Sequence, residues 1–227
     1  MRTHRMFMID PYFAAGLASM LSLGAIAFFR GGGSRPAGSV SAATLQRVEA
    51  VAAPPRRLGR LGDPVRIAEL TDFACPACAA AHAAMWPVIA RLVQQGVAHY
   101  EVRDLPLPSH QNAIPAAIIA QCVANAGDSI YWRFHDALFA HQREWVAAYP
   151  PEPAIMPLAA AAGADTAAVG ACVAKEGRER SLRLQRTWQV ASDNGLRFTP
   201  YVTVNGRAVS WPALEAAVQR VAAAHRP

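Results

Sequence analysis

The chain is 227 residues long, 53% hydrophobic and 17% charged, which is ample for one core of ordinary size with extensions and excludes a wholly disordered chain. Its formal charge is +6, but Arg2, Arg5, Arg30 and Arg35 against Asp10 put +3 of that into residues 1–35, and no aromatic-basic interleaving follows. Arg178, Arg180, Arg183 and Arg186 stand among Glu176 and Glu179 as one solvated helix face, so nucleic acid is not an expected partner.

Residues 1–10 form a basic flank to Pro11–Phe29, a run of 19 residues without a charge. At about 1.5 Å rise per residue this nearly spans a hydrocarbon core of about 30 Å. Residues 11–29 are expected to be a retained membrane anchor, with 1–10 on its cytoplasmic side. The alternative is a cleaved export signal with Ala25-Ile26-Ala27 as a small-x-small site, although that site lies inside the apolar run. Arginines at both ends decide orientation only weakly. The four cysteines suit an oxidising compartment and place the later chain outside.

Residues 30–62 are rich in Gly, Ser, Pro and Arg and read as a flexible linker. Leu45, Val48 and Val51 recur in it at helical spacing, which fits a partly ordered linker first and, as the alternative, a short amphipathic turn packed on the domain or the membrane surface. Val65–Phe73 is a β-branched, apolar run bounded by Asp63-Pro64 and reads as a buried strand. Glu69 sits in its middle. A buried carboxylate needs a partner, a raised pKa or a task, and the task at hand is to accept a proton from Cys78. The other reading puts Glu69 in solvent at a sheet edge.

Cys75-Pro76-Ala77-Cys78 follows, a C-x-x-C pair where the strand pattern gives way to a helical one. The N–H groups of a helix start stabilise a thiolate, which makes Cys75 the expected nucleophile and Cys78 the resolving thiol. Pro76 suits the first helical position. Covalent haem needs His after the second cysteine, and Ala79 stands there. Cys75, Cys78 and His82 are metal-ligand types on one helical face, but structural zinc wants a fourth ligand and no second close pair exists. A redox pair is expected, with no metal and no cofactor, against the alternatives of a metal site and an inert structural pair.

The helix continues to Gly96, with a kink expected at Pro87, and Val97–Leu105 is a second strand. Helical patterns then cover Ala113–Ala124, Ile130–Gln142, Ala154–Ala162 and Thr166 to about Ser192. Cys122 and Cys172 lie in the first and last of these; helices that open and close an insert can be neighbours, so the two are a candidate structural disulfide, against the alternative of two buried free thiols. Arg197–Val204 returns to strand, Asn205-Gly206 is a hairpin turn, Arg207–Val209 pairs back, and Trp211–Ala224 is a closing helix. The order predicts an α/β domain over residues 63–227, with an all-helical insertion at about 109–194.

Three stretches together resemble the DsbA-like thiol:disulfide oxidoreductases, a thioredoxin fold with a helical domain inserted in its core. They are Asp72–Cys78, Tyr131–Phe139, and Gly195–Pro200 leading into Val204-Asn205-Gly206. The resemblance covers about residues 60–225 and implies extracytoplasmic, or periplasmic, disulfide exchange with cysteine-containing client proteins. It also implies a membrane redox partner, a buried acid at Glu69, and a cis proline at Thr199-Pro200 that faces the cysteines and binds clients. The dipeptide Pro76-Ala77 departs from the Pro-His of strongly oxidising members, and Thr199 before the proline is similar to isomerase and reductase relatives. Oxidation, isomerisation and reduction all stay open, as do a reductase dedicated to one client and a peptide-binding module of the same fold without redox chemistry. The linker is too short for the separate dimerisation domain of the periplasmic isomerases, so a monomer is expected.

Overall fold

The computed structural model describes residues 40–224. The expected anchor at 11–29, its flank at 1–10 and the first part of the expected linker lie outside these residues. The remainder of that linker is not a tether. Ala42–Val51 is a helix (α1) capped by Ser41, whose hydroxyl accepts from the Thr44 N–H at 3.1 Å, and Arg56–Leu58 is a strand (β1). The folded chain therefore starts some twenty residues before the expected domain boundary at 63. The reason is an uncovered sheet face: Val48 is fully buried among Leu70, Leu105, Ala191, Leu196 and Tyr201.

The central strand is Val65–Thr71 (β2), followed by a helix over Pro76–Gln94 (α2) and a strand over Ala98–Asp104 (β3). α2 starts at Pro76, which loses no hydrogen bond there, and gives way to Gly96 with φ +65°. It runs on through Pro87, whose missing N–H leaves the Ala83 carbonyl without its helical donor. β2 and β3 are parallel, joined by the crossover through α2.

Five α-helices stand between β3 and the next strand: Ala113–Val123 (α3), Asp128–Ala140 (α4), Gln142–Val146 (α5), Glu152–Ala161 (α6) and Thr166–Asp193 (α7). The helix expected to end at Gln142 in fact breaks at His141, and Gln142 opens the short α5. α7 is capped by Asp165, whose carboxylate accepts from the Ala167 and Ala168 N–H groups. Its arginines are not one solvated face. Arg180 is mostly buried, paired with Glu176 and donating to Gln121 of α3 at 3.2 Å, because α3 packs along that side.

Tyr201–Val204 (β4) and Arg207–Val209 (β5) form the hairpin, turned by Asn205 (φ 47°) and Gly206 (φ 79°), and Leu214–Ala224 (α8) closes the chain. The sheet order is β1-β3-β2-β4-β5, with β1, β4 and β5 antiparallel to their neighbours. α2, α4 and α8 contribute to the core on one face, while α1 and the end of α7 cover the other. β2 is therefore central, and the sheet-edge reading of Glu69 is excluded by its burial.

Candidate active site

β2 ends at Thr71 and delivers the chain to a loop, Asp72-Phe73-Ala74-Cys75, that three sets of bonds hold in place. The buried Asp72 carboxylate accepts from the Ala74 N–H at 2.8 Å and the Leu107 N–H at 2.9 Å, and its second oxygen also lies 2.7 Å from His110 Nδ1. Burial raises the Asp72 pKa, and these donors pull against it. The Cys75 N–H donates to the Asp72 carbonyl at 3.0 Å. From α5, the Gln142 amide donates to the Phe73 and Cys75 carbonyls at 2.6 and 2.9 Å. Below the loop, Phe73 packs on His135 and Phe139, and His82 stacks on Phe139 with its Nε2 2.7 Å from Asp136. His82 is thus committed to α4 rather than joined to the cysteines as a ligand.

Cys75 is the N-cap of α2, in extended conformation, and its carbonyl accepts from the Cys78 and Ala79 N–H groups at 3.0 and 3.1 Å. Both thiols are free and buried. Their environments push them apart. The Cys78 thiol beside it draws the Cys75 pKa down to about 6 against the opposing effect of burial, helped by the Thr199 hydroxyl and the N–H groups of Cys78 and Ala77. Burial pushes Cys78 well up, and the neighbouring Cys75 and Glu69 charges add to this. Thr199-Pro200 is a cis bond, and the Thr199 carbonyl lies 3.6 Å from Cys75 Sγ, within reach of its S–H. The loop before β4 and the loop after β2 thus meet over one sulfur.

Glu69 is buried two strand residues before the loop, and burial pushes its carboxyl up to about 7. The phenol of Tyr100, from β3, donates to it at 2.6 Å. The second cysteine pair is bonded: Cys122 of α3 and Cys172 of α7 form a disulfide with Cα atoms 5.8 Å apart. Sequence reading missed Gln142 and Tyr100. Each reaches its partner across dozens of residues, and no local pattern marks either one.

The sequence pattern that defines the family described as thioredoxin matches residues 53–222. An 82-residue stretch is 39% identical to the Na(+)/H(+) antiporter NhaA 3 of Salinispora tropica, covering 36% of this chain and 12% of that protein's length. Among solved structures, oxidised BdbD of Bacillus subtilis superposes with a TM-score of 0.64 at 17% identity, covering 76% of this chain and 97% of that one. The thiol-disulfide exchange protein alpha-DsbA2 of Wolbachia pipientis gives 0.63 at 18% identity, over 79% and 95%. The chain belongs to the thioredoxin family, and its fold, with helices α3–α7 between β3 and β4, is similar to those two structures.

Proposed function

We propose that the protein is a thiol:disulfide oxidoreductase that exchanges disulfides with extracytoplasmic proteins through Cys75 and Cys78. The observation that carries this reading is the asymmetry of the pair: one thiol drawn down to about 6 at a helix start, the other held well up in the core. Near neutral pH Cys75 is largely thiolate. It attacks a client disulfide, forms the Cys75–client bond and releases the client's other sulfur as a thiolate. Cys78 then gives its proton to Glu69 and attacks Cys75 Sγ. The Cys75–Cys78 bond forms, the Cys75–client bond breaks, and the second client sulfur leaves with the electron pair. Two electrons have passed to the client, and the reverse sequence oxidises it. Thr199 and Pro200 border the reacting sulfur, where an extended client strand can lie against the Thr199 backbone.

A membrane redox partner resets the pair, residues 11–29 hold the protein to the membrane, and it acts as a monomer. The Cys122–Cys172 bridge favours an oxidising compartment. Intact-mass measurement of membrane-extracted protein tests the anchor, because a mature N-terminus near Phe28 rejects it.

The test of the chemistry is covalent trapping. Cys78→Ala is expected to accumulate mixed disulfides with client proteins and Cys75→Ala very few, while the wild-type couple equilibrates with glutathione at a measurable potential. Equal alkylation rates of the two thiols at pH 7 would overturn the assignment.

A further inference from the structure

Glu69 and Tyr100 come from neighbouring parallel strands, and in the ladder Tyr100 stands opposite Ile67, the residue that shares Glu69's face. Both side chains are buried, and the phenol donates to the carboxylate at 2.6 Å. The Tyr100 ring cannot swing away: Trp86 of α2 lies edge-on at 6.3 Å and Trp132 of α4 at 5.6 Å. The donor is thus fixed before any proton moves.

We propose that the Tyr100 phenol positions Glu69 and sets the pH at which that carboxylate takes the proton from Cys78. The inference rests on the exchange mechanism above. Toward the ionised carboxylate the phenol donates, and that donor favours the charged form, the one that acts as a base. Burial pushes Glu69 up to about 7, and the phenol is the leading influence that pulls it back.

The titratable groups whose charge bears on this pair are few. Tyr131 of α4 lies close enough to be raised by the Glu69 charge, and Cys75 and Cys78 face Glu69 from the loop and the first turn of α2. β4 sets the apolar Val202 opposite Glu69 in the ladder. Burial raises Glu69, the Tyr100 phenol and then the Thr71 hydroxyl pull against it, and the Cys75 charge adds to the rise.

In the step itself, Cys78 S–H passes its proton to Glu69 and becomes a thiolate that displaces the client from Cys75. Tyr100 keeps its own proton throughout, since burial and the Glu69 charge raise its pKa well above the ordinary phenol value. It is a positioning residue.

The experiment follows release of a fluorescent peptide thiol when reduced full-length protein meets excess disulfide-bonded peptide, from pH 5.5 to 9. Tyr100→Phe is expected to move the midpoint of the release step up by about one unit and slow release at pH 7 about fivefold. Site-specific 3-fluorotyrosine at position 100, a stronger donor, is expected to move it down. Glu69→Gln is expected to remove the inflection, and adding Tyr100→Phe to it is expected to change nothing further. Glu69→Gln without inflection but Tyr100→Phe coincident with wild type overturns the inference and leaves the cysteine chemistry standing. Shifts in the same direction for both Tyr100 variants, or a Tyr100→Phe shift that persists without Glu69, also overturn it. An inflection unchanged in Glu69→Gln overturns the role of Glu69 itself, and no peptide release by the wild type overturns the exchange reading. Should Tyr100→Phe fail to fold, the fluorotyrosine arm decides.

Discussion

The side-chain amide of Gln142 donates to two backbone carbonyls at once, that of Phe73 at 2.6 Å and that of Cys75 at 2.9 Å. The inserted helices therefore grip the loop that carries the nucleophile. Cys75 keeps two further donors to its carbonyl, from Cys78 and Ala79, so the Phe73 carbonyl bears the loss when Gln142 is removed. Gln142→Leu is expected to destabilise the oxidised protein by about 1–3 kcal/mol. Urea unfolding followed by tryptophan fluorescence measures it, and an unchanged midpoint would mean that the loop holds without this clamp.

Thr199 acts on the sulfur itself. Its hydroxyl is buried without a conventional hydrogen-bond partner and helps to draw the Cys75 pKa down. Thr199→Val keeps the shape and removes the dipole. The pH midpoint of Cys75 alkylation by iodoacetamide, expected near 6 in the wild type, should rise by roughly half a unit to one unit. A midpoint that stays put would assign the lowered pKa to Cys78 and the helix start alone.

Glu69 gives stability an unusual pH dependence. A carboxyl whose folded pKa lies above its unfolded value adds stability below the unfolded value and loses it as pH rises through the folded one. For Glu69 that window runs from 4.5 to about 7. In the oxidised protein, where the cysteines do not titrate, Glu69→Gln is expected to gain on the wild type by something on the order of 3 kcal/mol between pH 4 and pH 8. Denaturant titrations of both proteins at the two pH values give the difference directly, and parallel curves would show that Glu69 finds compensation.

The Cys122–Cys172 bridge closes a loop with a sequence separation of 50 residues. In the chain-entropy account such a closure is worth about 4 kcal/mol. Replacing both cysteines by serine is expected to lower stability by up to that amount while leaving the alkylation profile of Cys75 unchanged. Differential scanning calorimetry reads the first and iodoacetamide kinetics the second.

What the chain shows without coordinates is what local chemistry dictates. β2, the helix start at Pro76 and the Asn205-Gly206 hairpin each carry their own signal: a β-branched run, a proline that needs no donor, two residues that tolerate positive φ. The site was legible to the same extent, in two cysteines at fixed spacing and a carboxylate within an apolar strand. Gln142 was not, because its partners lie 69 and 67 residues away and a lone glutamine after a helix looks like any polar surface residue. Tyr100 was read simply as a strand residue, for the same reason. α1 was half legible: Leu45, Val48 and Val51 have helical spacing, but ten residues with one narrow stripe cannot hold a helix alone, and the sheet face that stabilises it is visible only in three dimensions.

α1 touches none of the groups that exchange protons or electrons. A chain begun after Val51 would keep both reactive cysteines, Glu69 and Pro200, yet Leu70, Leu105 and Tyr201 would lose the Val48 side chain that covers them. That side of the sheet would then show water an apolar patch beside Arg66 and Arg103, both deprived of Glu49, the kind of surface on which copies of a protein stick to one another. Where a recombinant version may safely begin is thus decided by a helix with no part in the chemistry, and a boundary chosen from the reactive residues alone would yield an enzyme assembled around the right atoms and prone to come out of solution.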